Sequence, residues 1–249
     1  MFLYVFWLVL QLGWCDVVIP TQYQVSYQTN EIVGLTHFNM GTYYGDSDPS
    51  CNPENWNMSG NPLSFNPYAL NISNWAVSYK NLGAKSAVLT AKHGCGFCLW
   101  PTNVTIPSTG HMYNYSVAFS SYPHDIVRLF VDEMKKNNLG YGFYYSLTNN
   151  FYLNVDNHMV QNTTLLPGQV QVTQQQFEDI AMEQLTELFT SYGELTEFWF
   201  DGGTSDLTPR VQQLIQKYQP NMVVFNGQNV SDNPIRWVGT EWHWKSQCH

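Results

Sequence analysis

Lysine and arginine are scarce: ten in 249 residues, against 19 acidic residues and a formal net charge of −9. The few cations are scattered, with no basic cluster. Nucleic-acid binding needs lysine and arginine to displace counterions from phosphate, so that class of partner is excluded. Charged residues of both signs make up only 12%, and aromatic residues 16%. Disordered chains have the opposite balance, so a globular chain with an extracellular type of surface is expected. Internal repeats and low-complexity stretches are also missing, which argues against solenoids and propellers.

Long apolar runs are lacking too. The first 15 residues, MFLYVFWLVLQLGWC, are almost wholly apolar, but a membrane-spanning helix needs about 20 such residues. They read as a signal peptide over residues 1–15, with Gly13 and Cys15 preceding Asp16, and leave a single domain over residues 16–249. No membrane span is expected after its removal. Six Asn-x-Ser/Thr sequons, at Asn57, Asn71, Asn103, Asn114, Asn162 and Asn229, agree with the secretory pathway and a secreted or lysosomal destination. Four cysteines remain beyond the leader: Cys51, Cys95, Cys98 and Cys248. No second Cys or His pair is spaced to complete a zinc site with Cys95 and Cys98, so disulfide chemistry is the expectation, with the pairing open.

What is present is an alternation of short apolar runs and amphipathic segments. Strands are expected at Ile32–Met40, Ser86–His93, Tyr141–Leu147, Leu195–Gly202, Met222–Gly227 and Ile235–Glu241. Helices are expected at Ile72–Gly83, with Asn71 as cap and Gly83 as stop, and at Asp125–Gly140, Thr173–Gly193 and Pro209–Gln219. This order means parallel strands joined by crossover helices. A doubly wound sheet would carry a glycine-rich phosphate loop after its first strand, which is lacking. The expected fold class is therefore α/β, a (β/α)8-type TIM barrel with about six of its strands present.

Barrel catalytic groups sit where strands end. Those positions hold His37, His93, Tyr144 or Tyr145, Trp199, Asp201, Asn226 and Glu241. Two carboxylates from different strands, ringed by aromatic residues and histidines, suit cleavage of a glycosidic bond. One attacks the sugar carbon or activates water, and the other protonates the leaving oxygen. Each residue also has an ordinary reading. Asp201-Gly202 is a common turn pair, Glu241 an exposed loop acid, His37 and His93 hydrogen-bonded core histidines, and Trp199 core packing.

The stretches HFNMGTYYG, FNPYALNISNWAVSYKNLGAKSAVLTAKHGCGFCLWPT, HDIVRLFVDEMKKNNLGYGFYYS, QLTELFTSYGELTEFWFDGG and IRWVGTE resemble the α-L-fucosidases of glycoside hydrolase family 29, in one colinear order from about Glu31 to Glu241. The likeness is greatest to the subfamily active on α-1,3/1,4-linked fucose. The resemblance implies retaining hydrolysis through a fucosyl-enzyme intermediate, on fucosylated glycans, without metal or organic cofactor. It places the nucleophile at Asp201 and the acid/base at Glu241. It places fucose-binding residues at His37, His93, Trp199 and Trp100, and at Tyr145 in preference to Tyr144. The chain departs from the pattern in HGCGF, where the family has HHDGF: Gly94 and Cys95 replace a histidine and an aspartate, and Cys95 with Cys98 is a candidate staple for that loop. Family members also continue through further strands and commonly a β-sandwich, so a truncated barrel is expected. The alternatives are a fucose-binding, lectin-like pseudoenzyme or inactive truncated isoform, and a hydrolase of a related sugar such as an α-L-galactoside.

Overall fold

The computed structural model describes residues 19–43, 51–54, 56, 60–227 and 229–236. The proposed leader, Asn57, Glu241 and Cys248 lie outside the described residues. The chain begins with a short helix, α1 (Gln22–Gln28), followed by β1 (Val33–Thr36) and a single helical turn, α2 (Met40–Tyr43). Helix α3 (Ile72–Leu82) leads into β2 (Ser86–Lys92), and a small hairpin, β3 (Thr105–Ile106) and β4 (His111–Met112), follows. Helix α4 (Ile126–Lys136) precedes β5 (Gly140–Tyr145), and a second small hairpin joins β6 (Val155–Asp156) to β7 (Met159–Val160). Helix α5 (Gln174–Ser191), β8 (Glu197–Trp199), α6 (Thr208–Tyr218), β9 (Val223–Phe225) and β10 (Pro234–Ile235) complete the described order.

Among the described residues, six strands form one sheet in the order β1-β2-β5-β8-β9-β10, every neighbour pair parallel. The expected α/β architecture is therefore present, with β1 and β10 at the ends of the described sheet. The first strand is shorter than the sequence implies, because the chain after His37 turns into α2. Of the expected last strand, only Ile235, in β10, and Arg236 fall among the described residues.

Local chemistry explains the helices. Asp125 caps α4 by accepting from the Arg128 amide, and Lys135 and Lys136 sit in its last turn, opposite the positive end of the helix dipole. Ile126, Val127, Phe130, Val131 and Met134 form its buried stripe. Thr173 and Gln176 close a capping box on α5. Asn71 caps α3, and Gly83 ends it in the left-handed conformation at φ 85°.

Strand alternation divides the sheet into two faces. Ala87, Leu89, Phe143, Phe198 and Val224 belong to the core shared with the helices. Phe198 packs on Phe189 of α5 and Phe143 on Tyr192, with ring centroids 4.9 and 5.7 Å apart. The opposite face carries Ser86, Thr90, Tyr144, Glu197 and Trp199. Helix α1 lies at the foot of this second face, where the strands begin. Its Thr21 cap donates to Asn233, and Gln24 donates to the Pro234 carbonyl, each across 2.6 Å.

The cysteine pairing corrects the loop staple expected from sequence. Cys95 is bonded to Cys51, 44 residues away, and not to Cys98. Cys98 is a free, buried thiol that accepts from the Gln184 amide of α5 at 3.4 Å. The disulfide therefore joins the segment after β1 to the loop after β2.

Candidate active site

Parallel strands in matched register bring their carboxyl ends side by side. The register pairs Thr90 with Tyr144, Tyr144 with Trp199, and Trp199 with Phe225. His37 follows β1 directly, His93 follows β2, and Asp201 lies two residues beyond β8. Four strands thus deliver one cluster. The His37 and His93 rings are 5.1 Å apart. Tyr144 stacks on His93 at 5.3 Å and meets His37 edge-on at 5.7 Å. The Tyr144 hydroxyl donates to Asp201 Oδ2 at 2.9 Å.

The aromatic run around Asp201 has a simple cause. Phe198 and Phe200 point to the helix-covered core, where both are fully buried. Trp199 and Asp201 alternate with them and reach the other face. The two following glycines complete the arrangement. Gly202 and Gly203 take φ values of 75° and 82°, a region that disfavours side chains. A Cβ on Gly202 would also collide with Thr148. Thr148 donates its hydroxyl to the Asp201 carbonyl at 2.7 Å, and His158 Nε2 lies 3.2 Å from the Gly202 carbonyl. The turn is anchored by its backbone, while the Asp201 side chain stays exposed to solvent.

Trp199 is half-buried below Asp201. Its ring stacks on Phe225 at 3.9 Å with an interplanar angle of 13°. Its indole N–H donates to Glu197 Oε2 at 2.9 Å. Glu197 is fully buried, and also accepts from the Tyr27 and Ser86 hydroxyls at 3.0 and 3.2 Å. Burial holds the Glu197 carboxyl above the usual glutamate range, against the opposing pull of these hydrogen bonds.

The structure brings His37, His93 and Asp201 together, with Trp199 on the same face. It separates Tyr145 and Trp100 from them. The Tyr145 hydroxyl donates to Gln184 of α5 at 2.6 Å, and its ring lies under the Lys92 ammonium at 4.2 Å. The Trp100 indole donates to Glu187 of α5 at 2.7 Å. Both residues belong to the helix side of the sheet. Consecutive strand residues point to opposite faces, and register with Trp199 assigns the inward position to Tyr144. Of the two tyrosines, Tyr144 is therefore the one beside His37, His93 and Asp201. Asn226 braces the end of β8, with its amide 3.4 Å from the Phe200 carbonyl. Glu241 lies outside the described residues. Sequence reasoning assigned no part to Glu197, Thr148 or His158. The two-residue spacing of Glu197, Trp199 and Asp201 was a usable signal for the first of these.

The α-L-fucosidase family model matches residues 24–226. Over 235 residues the chain is 30% identical to α-L-fucosidase 1 of Arabidopsis thaliana, covering 90% of this chain and 39% of that protein. A solved structure of a glycoside hydrolase 29 family member from an unknown rumen bacterium is 27% identical, with a TM-score of 0.66, and the match covers 90% of this chain and 38% of that one. α-L-Fucosidase isoenzyme 1 from Paenibacillus thiaminolyticus, at 22% identity and a TM-score of 0.63, shares the fold over 81% of this chain and 49% of its own. The chain thus spans less than half the length of these relatives. The matched family region runs from within α1 to just past β9 and contains His37, His93, Tyr144 and Asp201, so the chain belongs to the α-L-fucosidase family.

Proposed function

We propose that this chain carries the fucose site of a retaining α-L-fucosidase, within a secreted or lysosomal protein whose residues 1–15 are a signal peptide and whose residues 16–249 are catalytic-domain sequence. The six-stranded parallel sheet is read as part of a (β/α)8 barrel, with the site at the carboxyl ends of its strands. The observation that carries the reading is the placement of Asp201. Its carboxylate is exposed, set on a glycine turn, and held at one oxygen by Tyr144 beside two histidines.

In the proposed double displacement, Asp201 attacks the anomeric carbon of α-L-fucose while Glu241 protonates the departing oxygen. Water then loses its proton to Glu241 and releases fucose with retained configuration. The Tyr144 bond occupies Oδ2 and orients Oδ1 for attack. His37 and His93 hold sugar hydroxyls, and Trp199 lies against the apolar face of the ring. A retaining pair requires the two carboxyl groups about 5–5.5 Å apart. The overall resemblance to the α-1,3/1,4-active subfamily, with its acid/base glutamate at Glu241, supports α-1,3/1,4-linked fucose in branched glycans as the substrate. Gly94 removes one hydroxyl ligand relative to the family pattern, which lowers affinity without removing the reacting groups.

The test is fucose release from a branched α-1,3/1,4-fucosylated oligosaccharide, with Asp201→Asn as the blank. Release by the parent alone is expected. A soluble, folded parent that binds fucose without turnover would replace the hydrolase reading with the lectin-like one. Preferential release of L-galactose from a matched α-L-galactoside would move the substrate class.

A further inference from the structure

We propose that Glu197 is the positioning residue for Trp199, and that it ties the indole to helix α1 through Tyr27. Glu197 is a carboxyl group with no exposure in a sheet interior. Such a group is costly to bury, and an apolar residue would fill the position at less cost. The carboxyl is nevertheless fully bonded where it lies. Gly142 stands opposite on β5, where a Cβ would collide first with the Glu197 backbone carbonyl and then with its Cγ at 2.6 Å, so the two strands close tightly around this residue. Each carboxyl oxygen is used. Oε2 accepts from both the Trp199 indole and the Tyr27 hydroxyl, and Oε1 accepts from Ser86 on β2.

Two restraints on Trp199 do different work. Stacking on Phe225 fixes the plane of the indole but allows it to slide and turn within that plane. The directional N–H bond to Oε2 opposes that sliding and turning. Trp199 sits two residues before Asp201, so the in-plane position of its ring sets the wall beside the reacting carbon. Tyr27 pulls on the same oxygen from α1, a helix otherwise fastened to Asn233 and Pro234. A short amino-terminal helix at the foot of the sheet is thereby connected to the wall of the sugar site.

The chemistry of the partners separates positioning from charge. The indole N–H can only donate, whereas the Ser86 hydroxyl can donate or accept. In Glu197→Gln, the amide oxygen can take the place of Oε2 and the amide nitrogen can donate to Ser86, so the indole keeps its acceptor. In Glu197→Met, the acceptor is lost at similar volume.

The experiment isolates the Trp199 emission by subtracting the spectrum of Trp199→Phe in each background. In Glu197→Met, this component is expected to shift in wavelength and to be quenched severalfold more readily by acrylamide. Fucose affinity is expected to fall about tenfold, the loss typical of one well-made hydrogen bond. Glu197→Gln should restore both. Tyr27→Phe, a milder change that remains informative if Glu197→Met does not fold, should shift the emission in the same direction by less. An unchanged Trp199 component in folded Glu197→Met, or in Tyr27→Phe if that variant alone folds, would overturn the proposal. So would a Glu197→Gln protein as perturbed as Glu197→Met. The affinity arm rests on the fucosidase reading, and the emission arm does not. A parent that binds no fucose would count against that reading while the emission still decides the role of Glu197.

Discussion

Tyr144 donates its hydroxyl to Asp201 Oδ2 across 2.9 Å, joining the end of β5 to the turn after β8. Its neighbour Tyr145 donates to Gln184 across 2.6 Å, in a buried bond on the other side of the sheet. Removing one hydroxyl from each should therefore have opposite consequences. Tyr144→Phe frees the Asp201 carboxylate to rotate, and kcat/KM for fucoside hydrolysis is expected to fall roughly tenfold to a hundredfold with little loss of stability. Tyr145→Phe leaves a buried amide oxygen without its donor, and a destabilisation of about 2 kcal/mol is expected with near-normal kinetics in the folded fraction. Steady-state kinetics and urea unfolding on the pair check this. Equal kinetic losses would contradict the assignment of Tyr144 to the site.

Gly202 is expected to tolerate no side chain. Its φ of 75° and the approach of Thr148 combine a backbone cost with a steric one. Gly202→Ala should cost about 1–3 kcal/mol. It should also displace Asp201, because the same turn presents that residue. Gly203, at φ 82° but with open space around its Cβ position, should show only the backbone part of the loss. Thermal melts of the two alanine variants should therefore rank Gly202→Ala below Gly203→Ala.

The alternation of strands and helices was legible because parallel strands buried on both faces leave continuous apolar runs, as in SAVLTAK of β2. His37, His93 and Asp201 were legible because each follows such a run directly. Tyr144 and Tyr145 were not separable from sequence. Both are aromatic and both are buried, and only the register with Trp199 fixes the phase. Helix α1 left no apolar periodicity to read, and none of its residues is fully buried. Its capping box and its bonds to Asn233, Pro234 and Glu197 hold it instead, and all but the first of these are long-range. The two hairpins pair only two residues on each strand, too few to create an alternating pattern. The disulfide partner of Cys95 lay 44 residues away, so the nearby Cys98 drew the expectation.

The observed pairing gives a clear stability contrast. Cross-linking residues 44 apart removes loop entropy from the unfolded chain worth roughly 4 kcal/mol in the chain-entropy model. Cys51→Ala/Cys95→Ala should lose an amount of that order, seen as a lower urea midpoint. Cys98→Ala removes one buried sulfur and no cross-link, so a loss of only about 1 kcal/mol is expected. If Cys98→Ala were as damaging as the double variant, the pairing would have to involve Cys98.

Lys92 supplies a stability signal with a defined pH window. Its side chain is fully buried, donates to the Ser146 carbonyl at 2.6 Å and lies over the Tyr145 ring. Burial lowers its pKa from the ordinary 10.5 to about 8, with the neighbouring Cys98 opposing the shift. Between these values the unfolded lysine still holds its proton and the native one has released it. The unfolded state then binds more protons, so native stability rises with pH across that interval. Below about pH 8 both states are protonated, and the native state bears the full cost of a buried ammonium. Lys92→Met removes the group while keeping its length. Unfolding free energies of parent and variant should therefore converge or cross as pH rises, with the difference changing by about 3 kcal/mol over the whole window. Urea titrations of both proteins at pH steps through that range measure it, and taking the difference cancels titrations common to the two chains. A difference independent of pH would mean that Lys92 keeps its charge at an ordinary pKa, with the Ser146 carbonyl and the Tyr145 ring compensating in full for its burial.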